Sequence, residues 1–420
     1  MTIVDARRVV RHIWQMRYAF FLLPLLMSQV AYGDEWQSRV ISALGNGGIY
    51  VEDAHGRPLL THRVDEPFVP ASTIKIATAA CALRELGSDY RFATEIYQTE
   101  EGRLIVKGYG DPLLISEEIA LMAAKLRRQG IRQVRGIGLD NTYFSSDIVI
   151  DGVERSANPF DAMNSALLAN FNTVHVRKFP GGRAESAEAQ TPLTPLAAQM
   201  VRRLPVGTHR INISSDSGKA LQYVGELLAA YLTQEGVSVS GEIARGKVPP
   251  LARLVHRHLS SHPLPDILRG MLEHSTNLTA NQLFLSMGAH RFGAPATVEK
   301  GVRVMTACLR EQVGWRNFQI AEGSGLSRQT LVTPRQMMQL LRYFAPYKGL
   351  LPVKEEVFMA KTGTLNGANT FAGYFPIGNG GEARFVILVN DRVPFTHKFR
   401  IARMVYEGVN GSPGALSRTR

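Results

Sequence analysis

Strand-like segments stand at both ends of this chain, and most of its helical patterns lie between them. Residues 48–53 and 58–62 flank a short turn near the start, and residues 370–375 and 383–390 flank a Gly/Asn-rich turn near the end. Alternating or continuous apolar residues bounded by turn residues are typical of β-hairpins. Two such blocks can share one antiparallel sheet, so we predict a fold in which the chain ends come together.

Helical patterns occupy the second half of the chain between these blocks. Residues 264–274 place five apolar side chains at the spacing of one buried helix face: Leu264, Ile267, Leu268, Met271 and Leu272. Residues 334–344 form a second amphipathic pattern, with Thr333 as its cap and Pro334 in its first turn. A chain of 420 residues that is 45% hydrophobic can bury a large core, which excludes wholesale disorder.

The middle of the chain alternates short strand-like and helical runs between Pro/Gly-rich breaks, and it has no fixed-period repeat. We predict one or two inserted subdomains over residues 91–255. The main domain is then expected to comprise residues 34–90 and 256–408. The tail at 409–420 is expected to be disordered.

Residues 1–33 have the pattern of a secretory signal peptide. Four arginines and one aspartate precede a short apolar run that ends at Met27, and Ala31 and Gly33 form a small-x-small cleavage pattern. The run is shorter than the roughly 20 residues that a membrane-spanning helix needs, although an uncleaved anchor is the alternative. Cleavage would remove four basic residues and one acidic residue, which lowers the net charge from +12 to +9. We expect an exported, periplasmic protein whose positive charge suits an anionic cell wall rather than nucleic acid.

Cysteine and histidine residues give no metal-site pattern. Two cysteines cannot form a four-cysteine zinc site, and two alternatives stay open for them: Cys81 is a small buried apolar residue, or it pairs with Cys308 after export. The histidines at 256, 258 and 262 lack a clear carboxylate or cysteine complement, so we expect a surface loop there rather than a metal site.

Ser72 and Lys75 form the strongest local motif, Ser-x-x-Lys. Lys75 is the only lysine of the chain with a serine three residues before it. Pro70 and the Ala-rich run at 76–83 place Ser72 near a helix N-terminus, and the spacing puts both side chains on one face. Burial favours a neutral amine, so Lys75 is a candidate base for the Ser72 hydroxyl. A capping serine beside a snorkelling lysine is the structural alternative.

A second motif is Lys361-Thr362-Gly363-Thr364, which follows an apolar run and precedes the strand predicted at 370. Lys361 is expected to be a fixed cation at a strand edge, where it would suit a substrate carboxylate. Gly363 would allow close backbone approach. A solvated lysine in a turn is the alternative.

The third motif, Ser-x-Asn, occurs twice. Ser275-Thr276-Asn277 joins the helix at 264–274 to another apolar helix at 278–287, so its hydroxyl and amide are expected to be held rigidly. The other copy, at 156–158, precedes a proline in an extended or turn segment and is the weaker candidate.

Taken in order, Ser-x-x-Lys, Ser-x-Asn and Lys-Thr-Gly are typical of penicillin-binding proteins and serine β-lactamases. Longer segments of the sequence, at 82–87, 264–275, 321–328 and 361–367, resemble the class C low-molecular-mass penicillin-binding proteins. Members of that class are penicillin-binding protein 4-like D-alanyl-D-alanine carboxypeptidases/endopeptidases. The resemblance implies an α+β fold: a serine β-lactamase/DD-peptidase-like domain with an antiparallel sheet flanked by helices, plus inserted α/β subdomains. Ser275 comes 203 positions after Ser72, and this wide gap matches the large insert of that class.

The resemblance also implies a role for each motif residue. Ser72 would be the acylated nucleophile and Lys75 its base, whereas Ser275 and Asn277 would move a proton and hold the substrate amide. The implied substrate-binding residues are Lys361, Thr362, Gly363, Thr364, Arg328 and Asp161. Of these, Lys361 and Thr362 would bind the terminal carboxylate, Thr364 would supply an oxyanion-hole N–H beside that of Ser72, and Arg328 and Asp161 would face the diamino-acid side chain.

Two residues depart from the family pattern without removing a catalytic group: Glu322 stands where the family usually has Asp, and Thr276 is an unusual middle residue. We expect an exported serine DD-peptidase that cleaves peptidoglycan stem peptides through a Ser72 acyl-enzyme. No metal or cofactor is needed, β-lactams should acylate Ser72, and peripheral membrane association stays open. The alternatives are a serine β-lactamase, for which no class A Glu-x-x-Leu-Asn segment is found, and a catalytically silent peptidoglycan-binding scaffold.

Overall fold

The computed structural model describes residues 35–154 and 156–411. Its strands are β1 (Gly47–Glu52), β2 (Pro58–His62), β3 (Ala93–Gln98), β4 (Leu104–Gly108), β5 (Gln133–Val134), β6 (Ile137–Asp140), β7 (Thr173–Lys178), β8 (Ala184–Ser186), β9 (Gly207–Asn212), β10 (Ser238–Val239), β11 (Ile243–Arg245), β12 (Arg253–Leu259), β13 (Val353–Lys354), β14 (Phe358–Leu365), β15 (Ala368–Ile377) and β16 (Gly381–Val389). Its α-helices are α1 (35–44), α2 (Lys75–Leu86), α3 (Ser116–Arg128), α4 (Pro195–Val201), α5 (Ser217–Gln234), α6 (Leu264–His274), α7 (Asn277–Phe292), α8 (Val298–Cys308), α9 (Pro334–Phe344) and α10 (His397–Asn410).

The predicted signal peptide at 1–33 and most of the predicted tail lie outside the described residues. Within 35–154 and 156–411, no helix is long and apolar enough to cross a membrane.

Both ends of the chain meet in one six-stranded antiparallel sheet, as the terminal hairpin patterns predict. The strand order is β13-β14-β15-β16-β1-β2. Strand β1 pairs with β16 along its whole length, with Ile49 opposite Ile387. The sheet is therefore complete only when the last strands of the chain lie beside the first.

Helices cover this sheet on both faces, which explains why its strands are nearly continuous in apolar residues. Along β16, Phe385 and Ile387 belong to the core shared with α1 and α10, whereas Val386 and Leu388 belong to the core shared with α2 and α6–α9. The alternation follows from the two-residue period of a strand. The helix α9 begins with a capping box between Thr333 and Gln336, which confirms the predicted start of that helix.

Helix α2 runs through the centre of the helical layer, and every residue from Lys75 to Leu83 is buried. Cys81 of α2 forms a disulfide with Cys308 of α8, with their Cα atoms 5.9 Å apart. The structure therefore contains the paired alternative, and the interpretation of Cys81 as an unpaired small apolar residue is wrong. The bridge joins α2 to α8 across 227 positions of the sequence.

The region between β3 and β12, called here the inserted region (residues 93–259), has a core of its own. A five-stranded sheet in the order β11-β6-β4-β3-β12 packs with α3 and α5, and a separate three-stranded sheet has the order β8-β7-β9. Strands β4 and β6 are parallel, as the intervening helix α3 permits. The predicted domain boundaries at 91 and 255 stay a prediction.

Hydrogen bonds of two side-chain amides attach the inserted region to α7. Asn164 donates to the carbonyl of Leu278 (3.0 Å) and to the side chain of Gln282 (2.9 Å), and Gln282 donates to the carbonyls of Gly110 and Ser165. Because α7 begins at the Ser-x-Asn motif, this attachment places the inserted region directly beside the candidate site.

The expectation of a surface loop is wrong for His256 and His258, which lie in β12, whereas His262 lies in the segment between β12 and α6. His258 is buried, and its Nε2 is 2.6 Å from a carboxylate oxygen of Glu118. In the described part of the chain, no group of three His, Cys, Asp or Glu residues could hold a metal ion.

Candidate active site

The candidate nucleophile lies on a tight turn that leads into α2. Residues Ala71–Ile74 form a short 3-10 helix, and Ala71 has a φ of 47°, which is uncommon for a residue with a Cβ atom. The carbonyl of Pro70 accepts hydrogen bonds from the hydroxyls of Thr73 and Thr370, both at 2.7 Å. These bonds fix the turn to the sheet, and Ser72 stays partly exposed.

Lys75 lies one turn further along, completely buried, and its ammonium group has three oxygen partners. Its Nζ is 2.9 Å from Ser72 Oγ, 2.8 Å from Asn277 Oδ1 and 2.7 Å from the Ser324 carbonyl oxygen. Burial, followed by the nearby charge of Lys361, lowers the pKa of Lys75 well below its usual value, although Glu322 opposes this shift. The geometry excludes the alternative of a snorkelling lysine.

Ser275 and Asn277 flank the junction of two helices, where the sequence predicts them. Helix α6 ends at His274, the next residue Ser275 has left-handed backbone angles (φ 56°, ψ 36°), and α7 begins at Asn277. The turn lets the two side chains reach different lysines: Ser275 Oγ accepts a bond from Lys361 Nζ at 2.9 Å, and Asn277 binds Lys75.

Lys361 lies inside β14 rather than in a turn before a strand, and only 2% of its surface is exposed. Besides Ser275, its Nζ contacts the carbonyl oxygen of Thr362 at 2.8 Å. Burial, together with the charges of Lys354 and Lys398, lowers its pKa to about 7, against an opposing effect of Glu273. The alternative of a solvated lysine in a turn is therefore wrong, and the role of Lys361 as a fixed cation for a substrate carboxylate stays a prediction.

Gly363 allows β14 to lie against the turn that carries Ser72. A Cβ atom there would be 2.2 Å from Thr370 Oγ1 and 2.9 Å from the backbone nitrogen of Ser72. A side chain would therefore push the strand away from Ser72. The need for close approach explains the glycine of the Lys-Thr-Gly motif.

Glu322 holds the loop that follows α8 and its π-helical extension, a role that the sequence does not reveal. Its buried carboxylate accepts hydrogen bonds from the backbone N–H groups of Ser324, Gly325 and Ser327 and from the Ser324 hydroxyl. The same loop turns the Ser324 carbonyl towards Lys75. Four donors thus hold the carboxylate of Glu322 in this loop, although its side chain is one methylene longer than that of Asp.

Lys398, at the start of α10, is a third buried lysine near the site, and no motif marks it. Its Nζ donates to the carbonyl of Gly363 at 2.9 Å and to the hydroxyl of Thr364. The ring of Phe395 lies 4.4 Å from the same nitrogen. Burial lowers the pKa of Lys398 to about 8. The only sequence signal is a lone lysine in an amphipathic helix, which ordinarily faces solvent.

Arg328 and Asp161 lie outside this hydrogen-bonded cluster. Arg328 is exposed and donates to the carbonyl of Asn366 in the turn after β14. Asp161 is partly buried, and its carboxylate accepts bonds from the Ser156 hydroxyl and the Glu154 backbone. Ser156 of the second Ser-x-Asn copy therefore holds a loop of the inserted region.

One further contact joins the inserted region to the Glu322 loop. The hydroxyl of Ser327 donates to Asp151 at 2.5 Å, and Gly152 packs against the backbone of Leu326. The candidate cleft is thus bounded by the sheet, by α7 and by the inserted region.

A sequence profile of the D-Ala-D-Ala carboxypeptidase 3 (S13) family matches residues 42–354. The chain belongs to that family. The matched residues include Ser72, Lys75, Ser275 and Asn277 but end before Lys361, which lies in β14 and bonds Ser275.

Individual members of the family support this assignment. The chain is 30% identical to the D-alanyl-D-alanine carboxypeptidase of Actinomadura sp. (strain R39), over 82% of this chain and 77% of that one. It is 27% identical to the D-alanyl-D-alanine carboxypeptidase DacB of Haemophilus influenzae, over 76% of this chain and 80% of that one. The crystal structure of penicillin binding protein 4 (dacB) from Haemophilus influenzae has the same fold, with a TM-score of 0.73 at 22% identity, covering 88% of this chain and 99% of that one.

Proposed function

We propose that this S13 protein is a serine-type D-Ala-D-Ala carboxypeptidase and endopeptidase, which acts on peptidoglycan stem peptides through an acyl-enzyme on Ser72. The observation that carries the proposal is the position of the buried Lys75 amine, 2.9 Å from Ser72 Oγ and 2.8 Å from Asn277 Oδ1. A neutral amine at this distance can accept the hydroxyl proton as the oxygen attacks a carbonyl carbon.

In the proposed acylation step, Ser72 Oγ forms a bond to the carbonyl carbon of the penultimate D-Ala, and its proton passes to Lys75. The backbone N–H groups of Ser72 and Thr364 would bind the oxyanion, each contributing about 3 kcal/mol of transition-state stabilisation. The C–N bond then breaks and the departing amine takes up a proton, for which the Ser275 hydroxyl is the proposed carrier. Water hydrolyses the Ser72 ester in the second half of the cycle.

Lys361 and Thr362 are proposed to bind the terminal carboxylate of the substrate. Because the pKa of Lys361 is about 7 in the free enzyme, this lysine is only partly charged at neutral pH. A bound carboxylate would favour the charged form, so substrate binding above pH 7 should be accompanied by proton uptake. Arg328 and Asp161 are proposed to lie along the diamino-acid side chain, further from the scissile bond.

Lys398 is proposed as a positioning residue rather than a catalytic one. Its bonds to Gly363 and Thr364 hold the segment of β14 that faces Ser72, and its charge lowers the pKa of Lys361. A Lys398→Met variant should therefore lower the acylation rate and raise the pKa of Lys361, whereas a purely structural role would leave that pKa unchanged.

We propose that the protein is exported to the periplasm after removal of residues 1–33. The pattern of that segment supports the proposal, as does the Cys81–Cys308 disulfide, because disulfides persist in oxidising compartments. Peripheral association with the membrane remains a separate prediction.

A fluorescent penicillin, followed by intact mass, tests the proposed function. A long-lived adduct that is absent from Ser72→Ala supports a DD-peptidase. Rapid turnover of the adduct would indicate a β-lactamase, and no adduct at all would indicate a silent scaffold. A crystal structure of a protein with this fold in complex with a β-lactam makes such a probe a natural choice.

A further inference from the structure

The hydrogen-bond partners of Lys75 fix the direction in which its lone pair can point. Asn277 Oδ1 lies 2.8 Å from Lys75 Nζ, and the Ser324 carbonyl oxygen lies 2.7 Å from it. Both oxygens can only accept hydrogen bonds, whereas the Ser72 hydroxyl, 2.9 Å away, can also donate one. A neutral amine has two N–H groups and one lone pair. When the N–H groups are directed to the two acceptors, the lone pair faces Ser72.

The direction of the Ser324 carbonyl depends on the residue before it, Gly323, which is bonded at both of its backbone polar groups. The Gly323 N–H donates to Asn281 Oδ1 at 2.8 Å, and the Gly323 carbonyl accepts from the Thr78 hydroxyl at 2.5 Å. Glu322 accepts from the N–H of the same Gly323–Ser324 peptide. Three bonds therefore hold two successive peptide planes, and the Ser324 carbonyl has little freedom to turn away from Lys75.

The two side chains that bind Gly323 belong to the helices that carry the base and its amide partner. Thr78 follows Lys75 by three positions in α2, and Asn281 follows Asn277 by four positions in α7. Residues three or four positions apart lie on the same face of a helix. Thr78 is 0% exposed and Asn281 is 1% exposed, so water does not compete for either bond. The same two helix faces thus hold Lys75 and the loop that supplies its carbonyl partner.

Close packing on both sides keeps this loop in place. A Cβ atom at Gly323 would be 2.8 Å from the carbonyl oxygen of Ala280 and 2.8 Å from Cβ of Phe284, both in α7. A Cβ atom at Gly325 would be 2.0 Å from the carbonyl oxygen of Ala71, in the turn before α2. Glycine at these two positions allows the loop to approach both neighbours, because it has no side chain to place there.

We infer that Thr78 and Asn281 are positioning residues for acylation. By holding the loop, they direct the Ser324 carbonyl to Lys75, and the lone pair of the base therefore faces the Ser72 hydroxyl. This role rests on the proposed function, in which the proton of Ser72 Oγ passes to the Lys75 nitrogen as Oγ bonds to the carbonyl carbon. The ammonium group that results has a third N–H, which faces the new ester oxygen of Ser72.

Four variants separate this role from a general contribution to stability. Thr78→Val removes the hydroxyl but keeps the branched shape, Thr78→Ser keeps the hydroxyl, and Asn281→Leu removes the acceptor of the Gly323 N–H. Thr173→Val is the matched control. The buried Thr173 hydroxyl also donates to a backbone carbonyl, that of Asn170 at 2.8 Å, but it lies in β7 of the inserted region.

The second-order rate of labelling by fluorescent penicillin, measured as a function of pH, is the first readout. Thr78→Val and Asn281→Leu should lower the plateau rate about tenfold, because the base is misaligned. The acid limb, where the rate falls as Lys75 becomes protonated, should move to lower pH, since the ammonium form loses an acceptor. Thr78→Ser and Thr173→Val should keep the wild-type profile.

Three results would overturn the positioning role. These are a wild-type profile in Thr78→Val, an equal change in Thr78→Val and Thr173→Val, and a Thr78→Ser profile that resembles that of Thr78→Val. If Asn281→Leu does not fold, the comparison of the two Thr78 variants still decides between the outcomes.

Titration of Lys75 by NMR separates this role from the proposed function. Lysine labelled with ¹³C at the ε-carbon reports the protonation of each amine, and the Lys75 signal is the one lost in Lys75→Arg. If penicillin fails to label the wild-type protein, the proposed function fails, but this titration still compares the variants. A Lys75 titration at lower pH in Thr78→Val than in wild type and Thr173→Val supports the positioning role. Equal titrations in all three proteins overturn it.

Discussion

Replacing Glu322 by Gln perturbs the loop that presents the Ser324 carbonyl to Lys75. One carboxylate oxygen accepts bonds from the Ser324 N–H and hydroxyl, both at 2.6 Å, and the other accepts from Gly325 N at 2.6 Å and Ser327 N at 3.3 Å. A Gln side chain keeps one oxygen and turns an NH₂ group towards the remaining donors. Two hydrogen bonds to a charged acceptor, about 1.5–3 kcal/mol each, are lost, so the free energy of unfolding should fall by about 3–6 kcal/mol.

The same substitution should change the pH dependence of acylation in a defined direction. Glu322 raises the pKa of Lys75 against burial and Lys361, which both lower it. Removal of the negative charge should therefore lower the pKa of Lys75 further. If neutral Lys75 is the base, the acid limb of the acylation profile moves to lower pH.

Urea unfolding measures the change in the free energy of unfolding. The second-order rate of labelling by fluorescent penicillin, measured between pH 4 and 10, gives the position of the acid limb of the acylation profile. Glu226→Gln is a matched control, because Glu226 is also buried and accepts bonds from Leu196 N and Gln222, but lies in α5. This control should lose stability without a shift of the acid limb. An acid limb that moves upward or stays in place in Glu322→Gln would refute the electrostatic reasoning, and a stability loss below about 1 kcal/mol would refute the anchoring role.

Three further predictions concern pH, the disulfide and the Lys-Thr-Gly strand. Between pH 7 and 10 the unfolded chain holds a proton on Lys361 that the folded chain has lost. The free energy of unfolding should therefore rise with pH by about 1.4 kcal/mol per pH unit because of this group. Urea unfolding of Lys361→Met should show a smaller rise of that free energy with pH. Removing the disulfide in Cys81→Ala/Cys308→Ala opens a loop closed across 227 residues, and calorimetry should show a loss of up to about 5 kcal/mol; an unchanged melting temperature would contradict this. Gly363→Ala should slow penicillin acylation by about 100-fold, because a Cβ 2.9 Å from Ser72 N displaces the strand; an unaffected rate would show that the strand yields freely.

Local elements were predictable because their information is local. The helix at Pro334–Phe344 begins at the predicted cap, since Thr333, Pro334 and Gln336 act within one turn of each other. The terminal hairpins were predictable for the same reason, because a strand shows its two-residue period and its turn in a short window. Their joining into one sheet could be proposed only from the need of both to bury apolar faces.

The environments of the lysines were not predictable in the same way. The sequence predicts Lys361 as a cation at a strand edge, but it does not reveal that burial and the charges of Lys354 and Lys398, which the fold brings near it, lower its pKa to about 7. Lys398 itself escaped notice because its partners, Gly363 and Thr364, are more than 30 residues away in sequence. Glu322 was noted as a departure from the family pattern, but its four donors become visible only in the folded loop.

The sequence alone therefore determined the chemical groups, their order along the chain and the family that they resemble, since motifs and periodic patterns depend on neighbours within a few residues. Only the tertiary structure decided which cysteines pair and which lysines have their pKa values lowered by burial. Those properties depend on burial and on distances between atoms hundreds of residues apart in the chain, and such distances exist only once the two ends have met in one sheet.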